Sequence, residues 1–451
     1  MMDILEAVLQ SQPPALPKIL AVRSCLQQSL DVYKPLQADL TQRMAQASHL
    51  DGEVREALMV QLLGRQDLGS SSPGPACAAA KQEVDILCAP AQLHLAADGS
   101  VEACLVSAGT WTFDAFALTQ ATEGHPLSVL AYWLLHQSGL AAWAQLDQVK
   151  LARWLCCIED GYCANPYHNR SHAADVLQTM HMLLTRGGLV PGYADQQSML
   201  AAYLAAVCHD YQHIGRTNDY LVQTQDELAL RYNDRSPMEN HHLAAAWSLL
   251  RVPQLNFLQA LPQPAWDRLR KLVIELVLGT DKAGGVLGLH TIGPSTASSD
   301  SPQDPHPVVG SSCNSHSERK VLQPLSEQDK LISLQMALKC SDLGHLAAPL
   351  PVHLAWVSRL EAEFFLQGDV ERADGLPLSP LCDRTKQGIT KSQVGFFDFV
   401  ALPLFNNFAA RFTAAKPLLA GVMRNYRHWQ AQAAAAEPER RTPGGPGAAR
   451  A

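Results

Sequence analysis

None of the eleven cysteines in this 451-residue sequence forms a CxxC pair, and their spacing follows no regular framework. That argues against a disulfide scaffold and points to a reducing compartment, where cysteine packs as a small buried hydrophobe. Cys156-Cys157 and Cys163 are close enough in sequence to suggest metal ligands, but core packing is the expected role. No run of about 18 apolar residues is present, so no membrane-spanning helix and no integral membrane association is expected. The first residues, Met1-Met2-Asp3-Ile4-Leu5-Glu6, lack the basic stretch that opens a secretion signal. A soluble cytoplasmic protein is the resulting expectation. Lys and Arg are scattered and the formal net charge is −8, which excludes the clustered cations of a nucleic-acid footprint. What the chain does have is apolar material, 47% of residues, enough for a large core.

Residues 1–110 read as a separate region that could regulate, its role unspecified, carrying seven Lys/Arg against twelve Asp/Glu. Helical patterning around Ile19–Leu36 and Val54–Leu63 is interrupted by Pro13-Pro14 and by the run from Ser70 to Pro75. Leu93-His94-Leu95 and Val101–Val106, around Asp98-Gly99, suggest a small hairpin. From about Trp111 helical periodicity is nearly continuous. Leu127, Val129, Leu130, Trp133, Leu134 and Leu135 form one apolar segment. Met199, Leu200, Tyr203, Leu204 and Val207 form a stripe leading into His209-Asp210, and Leu269, Leu272, Val273 and Leu276 lead to Thr280-Asp281. The expected fold is all-α, a compact multi-helix domain over 108–432 preceded by a region 1–107. Between Ala283 and Lys320, 17 of 38 residues are Gly, Pro or Ser, too few apolar groups to offset ordering entropy. A mobile insert at 283–320 and a disordered tail at 433–451 are expected; His290, His306, Cys313 and His316 are then solvated loop residues.

Two pairs of metal-binding residue types stand 36 residues apart, His168-Asn169-Arg170-Ser171-His172 and His209-Asp210. Asp342 could complete them. Imidazole nitrogen with carboxylate oxygen suits zinc, and a bridging carboxylate suits a harder ion such as magnesium. His168 and His172 share a face only if the helix has begun. With Ser171 or Asn169 as its cap, His168 lies outside the first turn, better placed to donate a proton than to ligate; a polar helix edge is the alternative. His213, Gly215, Asn218 and Glu239-Asn240-His241-His242 add more polar groups than a helical core tolerates without pairing or metal.

Together these motifs resemble the class I cyclic nucleotide phosphodiesterases: Tyr167-His168-Asn169-x-x-His172-Ala173-Ala174-Asp175-Val176, His209-Asp210-x-x-His213-x-Gly215-x-x-Asn218, Tyr232-Asn233-Asp234, Glu239-Asn240-His241-His242 and Lys391-Ser392-Gln393-Val394-Gly395-Phe396. The run Glu363 to Asp369, with Gly375-Leu376-Pro377 and Ser379 to Arg384, is most similar to the calcium/calmodulin-stimulated branch. The resemblance covers about 108–432. It implies an HD-type helical fold and hydrolysis of cyclic AMP, cyclic GMP or both to the nucleoside 5′-monophosphate. It also implies two divalent ions, zinc plus magnesium or manganese. His172, His209, Asp210 and Asp342 would ligate the tighter ion, with Asp210 bridging to the second. His168 would be the general acid, Glu239 would orient His168 or the attacking water, and His213 would stand behind them. Gln393 and Phe396 would read and stack the base, with Leu360 on its other face and Tyr167 and His345 completing the pocket.

Some positions depart from the family pattern. Gln212 replaces an acidic residue and Ile214 a proline or threonine, which would loosen the second ion's water shell. His345 stands where cyclic-AMP-selective relatives carry Asn, which favours dual specificity. Lys18–Lys34 holds only Lys18, Arg23 and Lys34, so calmodulin binding is not expected. A catalytically weak nucleotide-binding relative and a broader His-Asp phosphohydrolase are the competing readings. The first would lack a ligand or the acid, and none is missing; the second would not need Gln393 and Phe396. Nothing in the sequence indicates an oligomeric state.

Overall fold

The computed structural model describes Gly52, Val54, Arg55 and residues 100–281, 324, 326–386 and 388–436. Contacts divide the chain into units 1–67 and 68–451. Within the first unit Gly52, Val54 and Arg55 are helical, and the remainder of the patterning expected there, like the Leu93–Leu95 patch, lies outside the described residues. The insert 283–320 also lies outside them.

In the second unit the helices are α1 (Ser100–Ser107), α2 (Ala115–Ala121), α3 (Pro126–Gln137), α4 (Leu140–Trp143), α5 (Gln148–Gly161), α6 (Arg170–Thr185), α7 (Gln196–Cys208) and α8 (Asn218–Gln223). They continue with α9 (Glu227–Tyr232), α10 (Pro237–Leu249), α11 (Gln263–Asp281), α12 (Glu327–Asp342), α13 (Leu350–Ala373), α14 (Ile389–Phe396), α15 (Leu402–Arg411) and α16 (Lys416–Ala436). No strand occurs among the described residues, and the fold is all-α. None of the described helices is long and apolar enough to cross a membrane.

Two expectations are corrected. Val101–Val106 is not a hairpin arm but part of α1. Val101, Leu105 and Ala108 are the buried positions, a spacing that belongs to a helix face. The C-terminal helix continues to Ala436, past the expected start of the tail, and residues 437–451 lie outside the described ones.

Asn169 begins the central helix. Its side chain accepts from the backbone N–H of Ser171 (2.9 Å) and His172 (3.2 Å), capping α6. From Ser171 to Leu184 only His181 is not buried, the signature of a helix surrounded by others. α6 packs against α3, α7 and α12, and α11 lies across α7 and α12. Asp195 caps α7, accepting from Ser198 N–H at 2.7 Å, and that helix is buried from Ser198 to Cys208. Ser326 caps α12, accepting from Asp329 N–H at 3.1 Å. The buried Glu159 serves α3 instead of a local cap, accepting from Leu127 N–H at 2.7 Å and Ser128 N–H at 3.2 Å. These ends matter because α6 starts, and α7, α11 and α12 finish, where the polar motifs lie.

Candidate metal centre and its pocket

His172 rises from the first turn of α6, His209 and Asp210 follow the last turn of α7, and Asp342 closes α12. Their ligand atoms converge. His172 Nε2 stands 3.1 Å from Asp342 Oδ1 and 3.5 Å from Asp210 Oδ2. His209 Nε2 stands 3.1 Å from Asp210 Oδ2, 3.5 Å from Asp342 Oδ1 and 3.4 Å from His172 Nε2. A tetrahedral ion with bonds of about 2.0–2.1 Å separates its ligands by about 3.3 Å, so this donor set fits one small divalent cation. His209 Nδ1 lies 3.0 Å from the Ala206 carbonyl. A carbonyl only accepts, so the proton is on Nδ1 and the Nε2 lone pair faces the cluster. Burial opposes charge on every member. Even so, Asp210 and Asp342 raise the pKa of His172 and His209, and the imidazoles hold both carboxyls well below the ordinary range. His242, given no role from sequence, turns Nε2 toward Asp210 Oδ1 at 3.8 Å.

His168 lies outside α6, before its cap. Its partner is Glu363 of α13: Nδ1 donates to Oε1 at 2.5 Å, while Oε2 accepts from the backbone N–H of Tyr167 (2.8 Å) and His168 (3.0 Å). The sequence expectation is that Glu239 orients His168 or the attacking water; the bond to His168 comes from Glu363. Burial disfavours the imidazolium, but the charge and hydrogen bond of Glu363 outweigh it and lift the His168 pKa to about 9. Glu363, despite burial, is held at about 2, chiefly by His168. His213 stacks on His168 with ring centroids 4.0 Å apart. Its Nδ1 accepts from Gly215 N–H at 3.0 Å, and burial together with the neighbouring His168 keeps it neutral. Gly215 has φ +69°, and a Cβ there would meet Asn165 Oδ1 at 2.9 Å. Asn165 joins the two motifs, donating to the carbonyls of His168 (2.9 Å) and His213 (2.7 Å).

Glu239 belongs to a second acidic group. Asn218 Nδ2 donates to Glu239 Oε2 at 2.9 Å and to Asp281 Oδ1 at 3.1 Å, and Ser236 Oγ donates to Asp281 Oδ2 at 2.5 Å. Burial, then repulsion from Asp281, pushes the Glu239 carboxyl up to about 7. Gln212 sits at φ +61° and accepts from His241 Nε2 at 3.0 Å, so its side chain is engaged with α10.

In α14 Gln393 is buried. Its amide donates weakly to the Ile389 carbonyl at 3.3 Å, and its Oε1 has no partner among the described residues. Phe396 and Leu360 are half-buried, whereas Phe397 and Phe399 are core residues. Tyr167 is buried between His172 (4.7 Å between ring centroids) and Trp356 (5.5 Å). The Trp429 indole N–H donates to His353 Nε2 at 2.8 Å, and His353 Nδ1 faces His345 Nδ1 at 3.3 Å. Indole can only donate, so His353 carries its proton on Nδ1 and gives it to His345, whose own proton is then on Nε2.

Residues 167–422 match the family described as 3'5'-cyclic nucleotide phosphodiesterase. The chain belongs to this family. Among its phosphodiesterase relatives is a human dual specificity calcium/calmodulin-dependent 3',5'-cyclic nucleotide phosphodiesterase 1B, 37% identical over 67% of this chain and 52% of the relative. A Drosophila melanogaster dual specificity calcium/calmodulin-dependent 3',5'-cyclic nucleotide phosphodiesterase 1 is 38% identical over 65% of this chain and 32% of its own length. A mouse 1C relative is 37% identical over 66% and 38%. The chain thus spans about half the length, or less, of these curated phosphodiesterases. The expectation against calmodulin gains no support, because these relatives are named as calmodulin-dependent and Lys18–Lys34 lies outside the described residues.

Proposed function

We propose that this chain hydrolyses 3',5'-cyclic nucleotides, cyclic AMP and cyclic GMP, to nucleoside 5'-monophosphates. The observation that carries the reading is the His168 imidazole, bonded to Glu363 and 5.7 Å between ring centroids from His172 of a four-ligand metal cluster. His172, His209, Asp210 and Asp342 would hold zinc, and Asp210 would also hold magnesium or manganese, whose other ligands would largely be water, with the Glu239 and Asp281 group nearby. When bound, such a pair of ions acts as a Lewis acid toward phosphoryl oxygens and makes water acidic near neutral pH.

The chain's own residues supply the rest. Water displaces the ribose 3'-oxygen from phosphorus, and the breaking P–O bond leaves an alkoxide that needs a proton. His168 gives it from Nε2 while Nδ1 stays on Glu363, a step worth about 10²–10⁴-fold. His213, neutral and stacked, adds no competing charge. Glu239, tied to Asp281 through Asn218, would orient the attacking water. Gln393 offers its vacant acceptor to a purine edge and can present its amide donor by turning over. Phe396 and Leu360 would sandwich the base, with Tyr167 and His345 closing the pocket.

The test is release of 5'-monophosphate from cyclic AMP and from cyclic GMP by the purified protein, with magnesium or with a chelator. Metal-dependent release from both is expected. Bound metal with no turnover of either would leave a nucleotide-binding protein instead.

A further inference from the structure

Lys339 is the cation on this side of the metal centre that the reading above leaves unused. It lies in the last turn of α12, where a lysine ordinarily serves its own helix's carbonyls. Here it reaches across to α11, with Nζ donating to the Thr280 carbonyl at 3.4 Å. Thr280 adjoins Asp281, and Asn218 ties Asp281 to Glu239. The ammonium is therefore held at the rim of the acidic group that includes Glu239 and Asp281, one helical turn before the ligand Asp342. Burial pushes the lysine pKa down, and Asp342, Asp281 and Glu239 push it back up. A half-buried ammonium of this kind is retained at a cost unless carboxylates face it.

We propose that Lys339 is a fixed counter-charge to the second-ion site, a positioning residue that weakens divalent-ion binding there. The inference deepens the two-ion reading and rests on it. Charges can be counted. Asp210, Glu239, Asp281 and Asp342 together carry four negative charges when ionised, and a zinc ion cancels two. Lys339 cancels a third, so the incoming second ion meets a site of one net negative charge instead of two. Coulomb's law for one unit charge acting on a divalent ion about 6 Å away leaves about a tenfold change in affinity even under full water screening, and more across a partly solvated site. The second ion would thus exchange readily and bind only when abundant.

The experiment is a manganese titration of zinc-loaded full-length protein, with free Mn²⁺ followed by its electron paramagnetic resonance signal. Lys339→Met is expected to bind Mn²⁺ about tenfold tighter than wild type, and Lys339→Arg, which keeps the charge, within about twofold of it. Should Lys339→Met fail to fold, as judged by circular dichroism, Lys339→Gln carries the same expectation. Unchanged or weaker Mn²⁺ binding by a folded neutral variant overturns the role of Lys339 while leaving the two-ion reading standing. A wild-type protein that takes up no Mn²⁺ overturns both.

Discussion

A carboxylate 195 residues from its imidazole decides the protonation of the residue best placed to give the leaving group a proton. If Glu363 holds His168 charged, Glu363→Gln removes the negative charge and leaves burial unopposed. The high-pH limb of kcat should fall from about 9 toward or below the ordinary histidine value, with kcat at pH 8 down about 10–100-fold and zinc content unchanged. A pH–rate profile with an unmoved limb would deny the pairing its role. The linkage signs agree. A raised His168 pKa contributes stability that is complete below 6.5 and lost as pH rises through about 9. A lowered Glu363 pKa contributes stability complete above 4.5 and lost as pH falls through about 2. The melting-temperature gap between wild type and Glu363→Gln should therefore be widest between pH 4.5 and 6.5. His168→Ala should lower turnover at least about tenfold with metal retained, whereas Asp342→Ala should empty the zinc site. Metal analysis beside turnover separates the two. The His and Asp positions were legible because metal chemistry restricts residue type and motif spacing is local. The pairing of His168 with Glu363 is not legible in the sequence, because nothing local says which carboxylate a fold will bring to an imidazole.

At the scale of elements, helix ends carry the site, so damage to an end should register in both stability and geometry. Asn169→Ala removes two backbone bonds at the start of α6 and should cost about 1 kcal/mol in denaturant unfolding. Gly421 is a closer fit. A Cβ there would stand 2.4 Å from the Ala347 carbonyl, in the turn that also carries His345. Gly421→Ala should cost about 1–3 kcal/mol by forcing α16 off that turn. A variant as stable as wild type would mean the helix shifts freely. The long elements were readable for a stated reason: α7 and α11 bear caps or apolar stripes sustained over several turns, a signal that accumulates with length. Val101–Val106 was not, because six residues between Asp98-Gly99 and Ser107 show alternation and helical spacing almost equally. Burial of Val101 and Leu105 on one face resolved that ambiguity, and burial is a property of the packed molecule.

For the molecule as a whole, the four metal-binding side chains join segments that are distant in sequence: the start of α6, the end of α7 and the end of α12. Without an ion, the charges they carry are balanced chiefly by one another, and two nearly inaccessible imidazoles must stay charged for that balance to hold. An ion that binds the folded chain alone stabilises it by mass action, about 4 kcal/mol when present at 1,000 times its dissociation constant. In a folded body of roughly 300 residues each kcal/mol moves the melting temperature by roughly 1.5 °C. Stripping the metal should therefore lower the calorimetric melting temperature by roughly 6 °C. Zinc alone should restore most of that loss, because the four converged ligands serve one ion. Magnesium added afterward should contribute little, since Lys339 offsets part of the charge it would meet. If chelation removes the metal and the melting temperature does not move, the packing of α6, α7, α11 and α12 already fixes the ligands. The ion would then serve chemistry without serving the fold.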